Sequence, residues 1–125
     1  MNLHQYTDRL NILLEQDVIT GQSMDVGLAA FEELLKVLNT TEIEQGELLF
    51  THLPMALSRI AKGEEVEGPN QEIMDDIKGS HSYPTAKEQV KLIEYRWGSR
   101  LPTGEKDYLY MHYTTVLNLN GNGVK

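Results

Sequence analysis

Leu48-Leu49-Phe50-Thr51-His52-Leu53-Pro54-Met55-Ala56-Leu57-Ser58-Arg59 spaces its apolar side chains three and four residues apart, the period of an α-helix rather than a strand. Leu49, Leu53, Ala56 and Ile60 form one stripe, while Leu48, His52, Met55 and Arg59 form the next. His52 and Arg59 therefore share a face. Pro54 has no N–H to give, so a kink is expected beside the histidine. Upstream, Thr41-Glu42-Ile43-Glu44 has capping-box spacing, and Glu42, Glu44 and Glu47 set against Arg59 and Lys62 complement a helix dipole. The helix is expected to start near Thr41.

The same period recurs on both sides. Leu3, Tyr6, Leu10 and Leu14 make a short leading helix from Leu3 to Gln16, broken by Asp17-Val18-Ile19-Thr20-Gly21. A second helix is expected from Asp25 to Leu38, with Phe31, Leu34, Leu35 and Leu38 inward and Ser23 or Asp25 as cap. After the acidic loop from Gly63 to Pro69, Asn70 to Lys78 offers Ile73, Met74 and Ile77 as an apolar side. Thr85 and Glu88 suggest a capping box for a helix ending at Trp97 and Gly98, which buries Ala86, Val90, Ile93 and Trp97. The last helix is expected from Thr103 to Leu117, with a frayed end beyond it. Period-two runs of β-branched residues are missing, so the expected fold is all-α.

With 125 residues the chain is one domain by size. It has 19 acidic against 11 Lys and Arg residues, a formal charge of −8, which opposes direct nucleic-acid binding. Control of a gene is then expected to run through a protein partner. Cysteine is absent, so disulfides and thiolate metal sites are excluded. The first residues lack a basic and apolar leader, and no run approaches the ~20 apolar residues of a membrane span. A cytoplasmic, non-membrane protein is expected.

His52 has a counterpart in His112, at the end of Glu105-Lys106-Asp107-Tyr108-Leu109-Tyr110-Met111-His112. A neutral imidazole nitrogen is nucleophilic near pH 7 and accepts a phosphoryl group directly, so the pair suggests a phosphorylation-controlled switch. The plainer reading of His52 is a hydrogen-bonded core histidine. Arg59 is a local cation for an added phosphate, or a surface ion pair worth ~0–1 kcal/mol. Glu105, two turns before His112, either holds that ring's tautomer or serves only as an N-terminal helix charge. Asn70 either bonds a motif histidine or caps its helix. His4 and His81 have no supporting constellation and read as surface residues. The tyrosines on the helices read as packing. No phosphate-cradling glycine loop, nucleophile elbow or HExxH is present, so no enzyme, cofactor or metal is expected.

These pieces, taken in order, resemble the PTS regulation domain (PRD) of bacterial transcriptional antiterminators and activators. His52 to Arg59 looks like the family's first histidine motif, and Asn70 before Gln71-Glu72-Ile73 is similar to its asparagine after the loop. Tyr83-Pro84 resembles a common pair, and Leu101-Pro102-Thr103-Gly104-Glu105 with Tyr108 to His112 resembles the second motif, 60 residues after the first. The resemblance covers about Gly27 to Leu117. It implies a five-helix bundle over residues 25–118, with residues 1–24 as a helical extension and 119–125 as a flexible tail. It also implies phosphorylation of His52 and His112 by HPr or a sugar-specific enzyme II component, with Arg59, Asn70 and Glu105 around the modified ring. A homodimer, acting as a stand-alone module on a partner transcription regulator, follows from the same resemblance. The alternative is a dimerisation or docking protein that has lost phosphotransfer.

Overall fold

Six α-helices build the computed structural model, which describes residues 1–121, and no strand occurs among the described residues. The all-α expectation holds. The first helix, α1 (Leu3–Glu15), begins at a reciprocal capping box: the Asn2 side chain accepts the Gln5 N–H and the Gln5 side chain accepts the Asn2 N–H. Tyr6 and Leu10 of α1 are fully buried in the common core.

Helix α2 (Gly21–Leu38) starts four residues before the expected Asp25. Thr20 is the cap, its Oγ1 accepting the Ser23 N–H at 3.1 Å, and Ser23 is drawn into the first turn. There Ser23 meets the Ser58 hydroxyl at 2.9 Å, and that hydroxyl also reaches the Pro54 carbonyl at 2.9 Å, which ties α2 to the next helix. Asn39 ends α2 in the left-handed conformation that Asn tolerates, φ 52°.

Helix α3 (Glu47–Ala61) corrects the sequence reading, because the Thr41 capping box does not form. Ile43 is fully buried instead, Glu42 forms an antiparallel bridge with Asn2, and Gln45 turns the chain at φ 53°. Burying an isoleucine and pairing backbone outweighs a cap worth ~1 kcal/mol. The helix continues through Pro54. A proline leaves the carbonyl four residues earlier without its helical partner. That carbonyl belongs to Phe50, and the Tyr6 hydroxyl donates to it at 2.7 Å.

Helix α4 (Gln71–Lys78) begins where expected, with the Asn70 side chain accepting the Ile73 N–H at 2.9 Å. Met74 and Ile77 are buried, but Ile73 is exposed. Helix α5 (Tyr83–Trp97) starts at buried Ser82 rather than at a Thr85 box, with Pro84 in its first turn, and stops at Gly98. Helix α6 (Thr103–Leu119) runs two residues beyond the expected Leu117.

The end of α6 is fastened. Asn118 accepts from the Ser82 hydroxyl at 2.5 Å, and Asn120 clasps the Glu44 backbone, accepting its N–H at 2.9 Å and donating to its carbonyl at 3.0 Å. Residues 122–125 of the expected flexible tail lie outside the described residues. The core centres on Tyr6, Phe31, Phe50 and Tyr113, whose ring centroids lie between 4.8 and 6.2 Å apart along the cluster. Phe50 and Tyr113 belong to α3 and α6, so this cluster holds together the two helices that carry the candidate histidines.

Candidate functional site

Three residues of α6 share one face: Glu105 in its first turn, Tyr108 three residues on, and His112 four residues further. Across from them, α3 presents His52 and, two turns later, Arg59. The His52 and His112 rings lie 5.3 Å apart between centroids, inclined at 47°. Tyr108 flanks both, 6.0 Å from the His52 ring and stacked 6.3 Å from that of His112.

Glu105 is 2 % exposed, and its carboxylate bridges the two α3 residues. One oxygen lies 3.5 Å from His52 Nε2 and the other 3.9 Å from the Arg59 guanidinium. These are ion-pair distances without hydrogen-bond geometry; His52 Nε2 and both carboxylate oxygens are sealed from solvent and have no hydrogen-bond partner. The sequence reading leaves Glu105 either as a partner for His112 on its own helix or as an N-terminal helix charge. The structure sets it against His52 and Arg59, because α3 lies across α6 and brings a closer partner than one two turns along the same helix. A carboxylate in a first helical turn also gains from the positive end of the dipole.

Gly104 and the acidic loop place this carboxylate. A side chain at residue 104 would collide with the Val66 carbonyl oxygen and lie 2.9 Å from the Gly68 nitrogen. The bare glycine lets residues 66–68 lie directly on the first turn of α6.

His52 is 21 % exposed and His112 is half-buried. Burial lowers the His112 pKa below 6.5; the His52 ring pushes the same way, and Glu105 opposes them. His112 is therefore neutral at pH 7, with one ring nitrogen carrying a free lone pair. The linkage has a definite sign. Below pH 6.5 the unfolded chain takes up a proton that the folded His112 resists, so this residue's contribution to stability is full above pH 6.5 and is lost as pH falls toward the lowered value. Melting temperatures measured from about pH 5 to 8 are expected to fall less steeply on the acid side in His112→Gln than in wild type. Equal slopes would remove His112 as the source.

A groove of about 350 Å³ opens beside His112, between the start of α3 and the end of α6, with Leu48, Thr115 and Leu119 among its walls. The fold thus brings together four of the five residues expected at the site: His52, His112, Arg59 and Glu105. The fifth, Asn70, is exposed and caps α4 with its side-chain oxygen. Tyr108 is the member that sequence reasoning placed in packing. Its signal was its spacing of three residues from Glu105 and four from His112. His4 and His81 are exposed, His4 lying 3.4 Å from Asp8. Among the described residues no group of three or more His, Cys, Asp or Glu is arranged to hold a metal ion, and no helix is long and apolar enough to cross a membrane.

The sequence model of the PRD domain matches residues 30–116, well over half of the chain and spanning both histidines. Comparison with curated proteins and with solved structures gives no match. PRD domains are regulatory rather than catalytic, and components of the phosphotransferase system generally phosphorylate them. On the family match and the all-helical fold that accompanies it, this chain belongs to the PRD domain family.

Proposed function

We propose that this domain is a phosphohistidine switch, a transcription-regulatory module that reads the state of the sugar phosphotransferase system. HPr or a sugar-specific enzyme II component supplies the phosphoryl group, and His52 or His112 accepts it. A ring-nitrogen lone pair attacks phosphorus, the bond from phosphorus to the donor's phosphorylated side chain breaks as the new P–N bond forms, and that donor side chain leaves with the electron pair. No oxidant, metal or second substrate is required.

The observation that carries this reading is the pair of histidine rings 5.3 Å apart between α3 and α6, set beside a buried Glu105 with Arg59 as its cation. Phosphorylation adds close to two negative charges at a contact between helices that already holds a buried carboxylate. The added charge changes how α3 and α6 pack, and that change is passed to a second copy of the chain or to a partner regulator in the cytoplasm.

Incubation with phosphoenolpyruvate, enzyme I and HPr, with and without an enzyme II extract, is expected to give acid-labile phosphate detectable by intact mass. His52→Ala or His112→Ala removes it. A folded protein that takes no label from any of these donors overturns the switch and favours a docking domain that has lost phosphotransfer.

A further inference from the structure

We propose that the outer face of α5 is a docking surface for an acidic helix of a partner protein. It stands apart from the phosphohistidine reading, because α5 meets α6 through Tyr83 on Tyr110 and Glu94 with Lys106. That is a different flank of α6 from the one that carries Glu105, Tyr108 and His112.

Charge is unevenly shared along the chain. Residues 87–100 hold four cations, Lys87, Lys91, Arg96 and Arg100, against two carboxylates, Glu88 and Glu94. This surplus of two sits in a chain of formal charge −8, so the remaining residues carry −10. One of the two carboxylates is already engaged: Glu94 lies 3.8 Å from Lys106 and accepts the Leu101 N–H at 2.8 Å. The four cations are exposed, and among the described residues Lys91, Arg96 and Arg100 have no ion pair or side-chain hydrogen bond. Lys87 lies over the Tyr83 ring, 5.1 Å from its centroid.

Tyr95 supplies the anchor. It is 82 % exposed, more than any other large apolar or aromatic side chain among the described residues. Lys87, Lys91 and Tyr95 follow one another at four-residue spacing and so line one side of α5, with Arg96 beside Tyr95 and Arg100 just past the helix end. An exposed aromatic beside unpaired arginines is the makeup of a protein contact, since tyrosine and arginine are enriched where partners bind. From Lys87 to Arg96 the row covers ~14 Å. A helix laid along it repeats its own i,i+4 carboxylates at the same interval and meets the row at each turn. The −10 carried elsewhere disfavours nucleic acid as the partner. On the other side, Asp25, Glu32 and Glu33 of α2 face Leu92 and Arg96 across a groove of about 310 Å³, which confines an acidic partner to α5.

The test maps binding by nitrogen–proton correlation spectra of the whole chain. The probe is a helical peptide of about 20 residues built from Ala, Leu and Glu with its glutamates four apart, and the control replaces each Glu by Gln. Saturable shifts confined to residues 87–100 are expected, fading as salt is raised past ~0.15 M and absent with the control peptide. Lys91→Glu combined with Arg96→Glu is expected to weaken binding at least about tenfold. Tyr95→Ala, which leaves the charge unchanged, is expected to weaken it at least about fivefold. Circular dichroism checks the fold of each variant, and the wild-type map needs no variant. No saturable shift, shifts spread over other faces, equal binding of the control peptide, or unchanged affinity in either variant overturns the docking surface. A DNA duplex that shifts the same residues at lower concentration than the peptide also overturns it, by making nucleic acid the partner.

Discussion

Replacing Gly104 by alanine is expected to destabilise the protein by about 3 kcal/mol, the upper part of the range for overpacking a closed contact. The added Cβ would overlap the Val66 carbonyl oxygen and sit 2.9 Å from the Gly68 nitrogen and 3.2 Å from the Glu67 carbonyl carbon. All three are backbone atoms, so no side chain can swing aside. Either the loop lifts from α6 or the first turn of α6 moves. Gly68→Ala on the opposite side of this contact is a milder control, since its nearest neighbours lie at 3.2–3.4 Å. Urea unfolding checks the ranking: the midpoint of Gly104→Ala should lie well below that of Gly68→Ala, with similar slopes. Glu105 is the next residue, so Gly104→Ala is also expected to disturb the carboxylate between His52 and Arg59. Unfolding midpoints that are equal for wild type and Gly104→Ala would mean that the loop does not rest on the helix as described.

The second large effect is expected at Tyr6→Phe, which should cost about 2 kcal/mol by leaving a buried carbonyl without a donor. The cause lies elsewhere in the chain, in Pro54. Because Pro54 has no N–H, the Phe50 carbonyl depends on the Tyr6 hydroxyl at 2.7 Å. Burial raises the Tyr6 pKa far above its ordinary value, so the hydroxyl remains a donor at every physiological pH. Gly27 in α2 makes room for it, since a Cβ there would lie 2.9 Å from the hydroxyl oxygen. A glycine inside a helix costs ~1 kcal/mol relative to alanine, and this contact accounts for one. A double-mutant cycle tests the chain of causes. Pro54→Ala restores an N–H for the Phe50 carbonyl, so in that background Tyr6→Phe should cost less than about 1 kcal/mol. An undiminished cost would show that the hydroxyl matters for some reason other than Pro54.

The same residues show how far the sequence could be read. Helices were legible wherever their apolar period was unambiguous, as at Met74 and Ile77 or at Val90 and Ile93, because that period depends only on the geometry of the local backbone. The Asn70 cap was legible for the same reason: its bond to the Ile73 N–H spans three residues. The capping boxes expected at Thr41 and Thr85 failed because competing contacts won. Ile43 is buried by a core assembled from distant helices, and buried Ser82 together with Pro84 begins α5 earlier. The PRD family was likewise legible in the ordered motifs, and the match over residues 30–116 bears it out.

Within the candidate site the division is sharper. His52 and Arg59 share a helical face by spacing alone, as do Glu105, Tyr108 and His112. Which of these meet across the gap between α3 and α6 was not written in either segment. The sequence left Glu105 as a partner for His112 or as an N-terminal helix charge, and packing adds His52 and Arg59 at ion-pair distance. The sequence by itself determined the six helices in outline, the family and the histidine motifs, since each is expressed in residues a few positions apart. Only the tertiary structure decided that two rings 60 residues apart in the chain lie 5.3 Å from each other around one buried carboxylate, because that distance depends on how α3 settles against α6 through Phe50 and Tyr113.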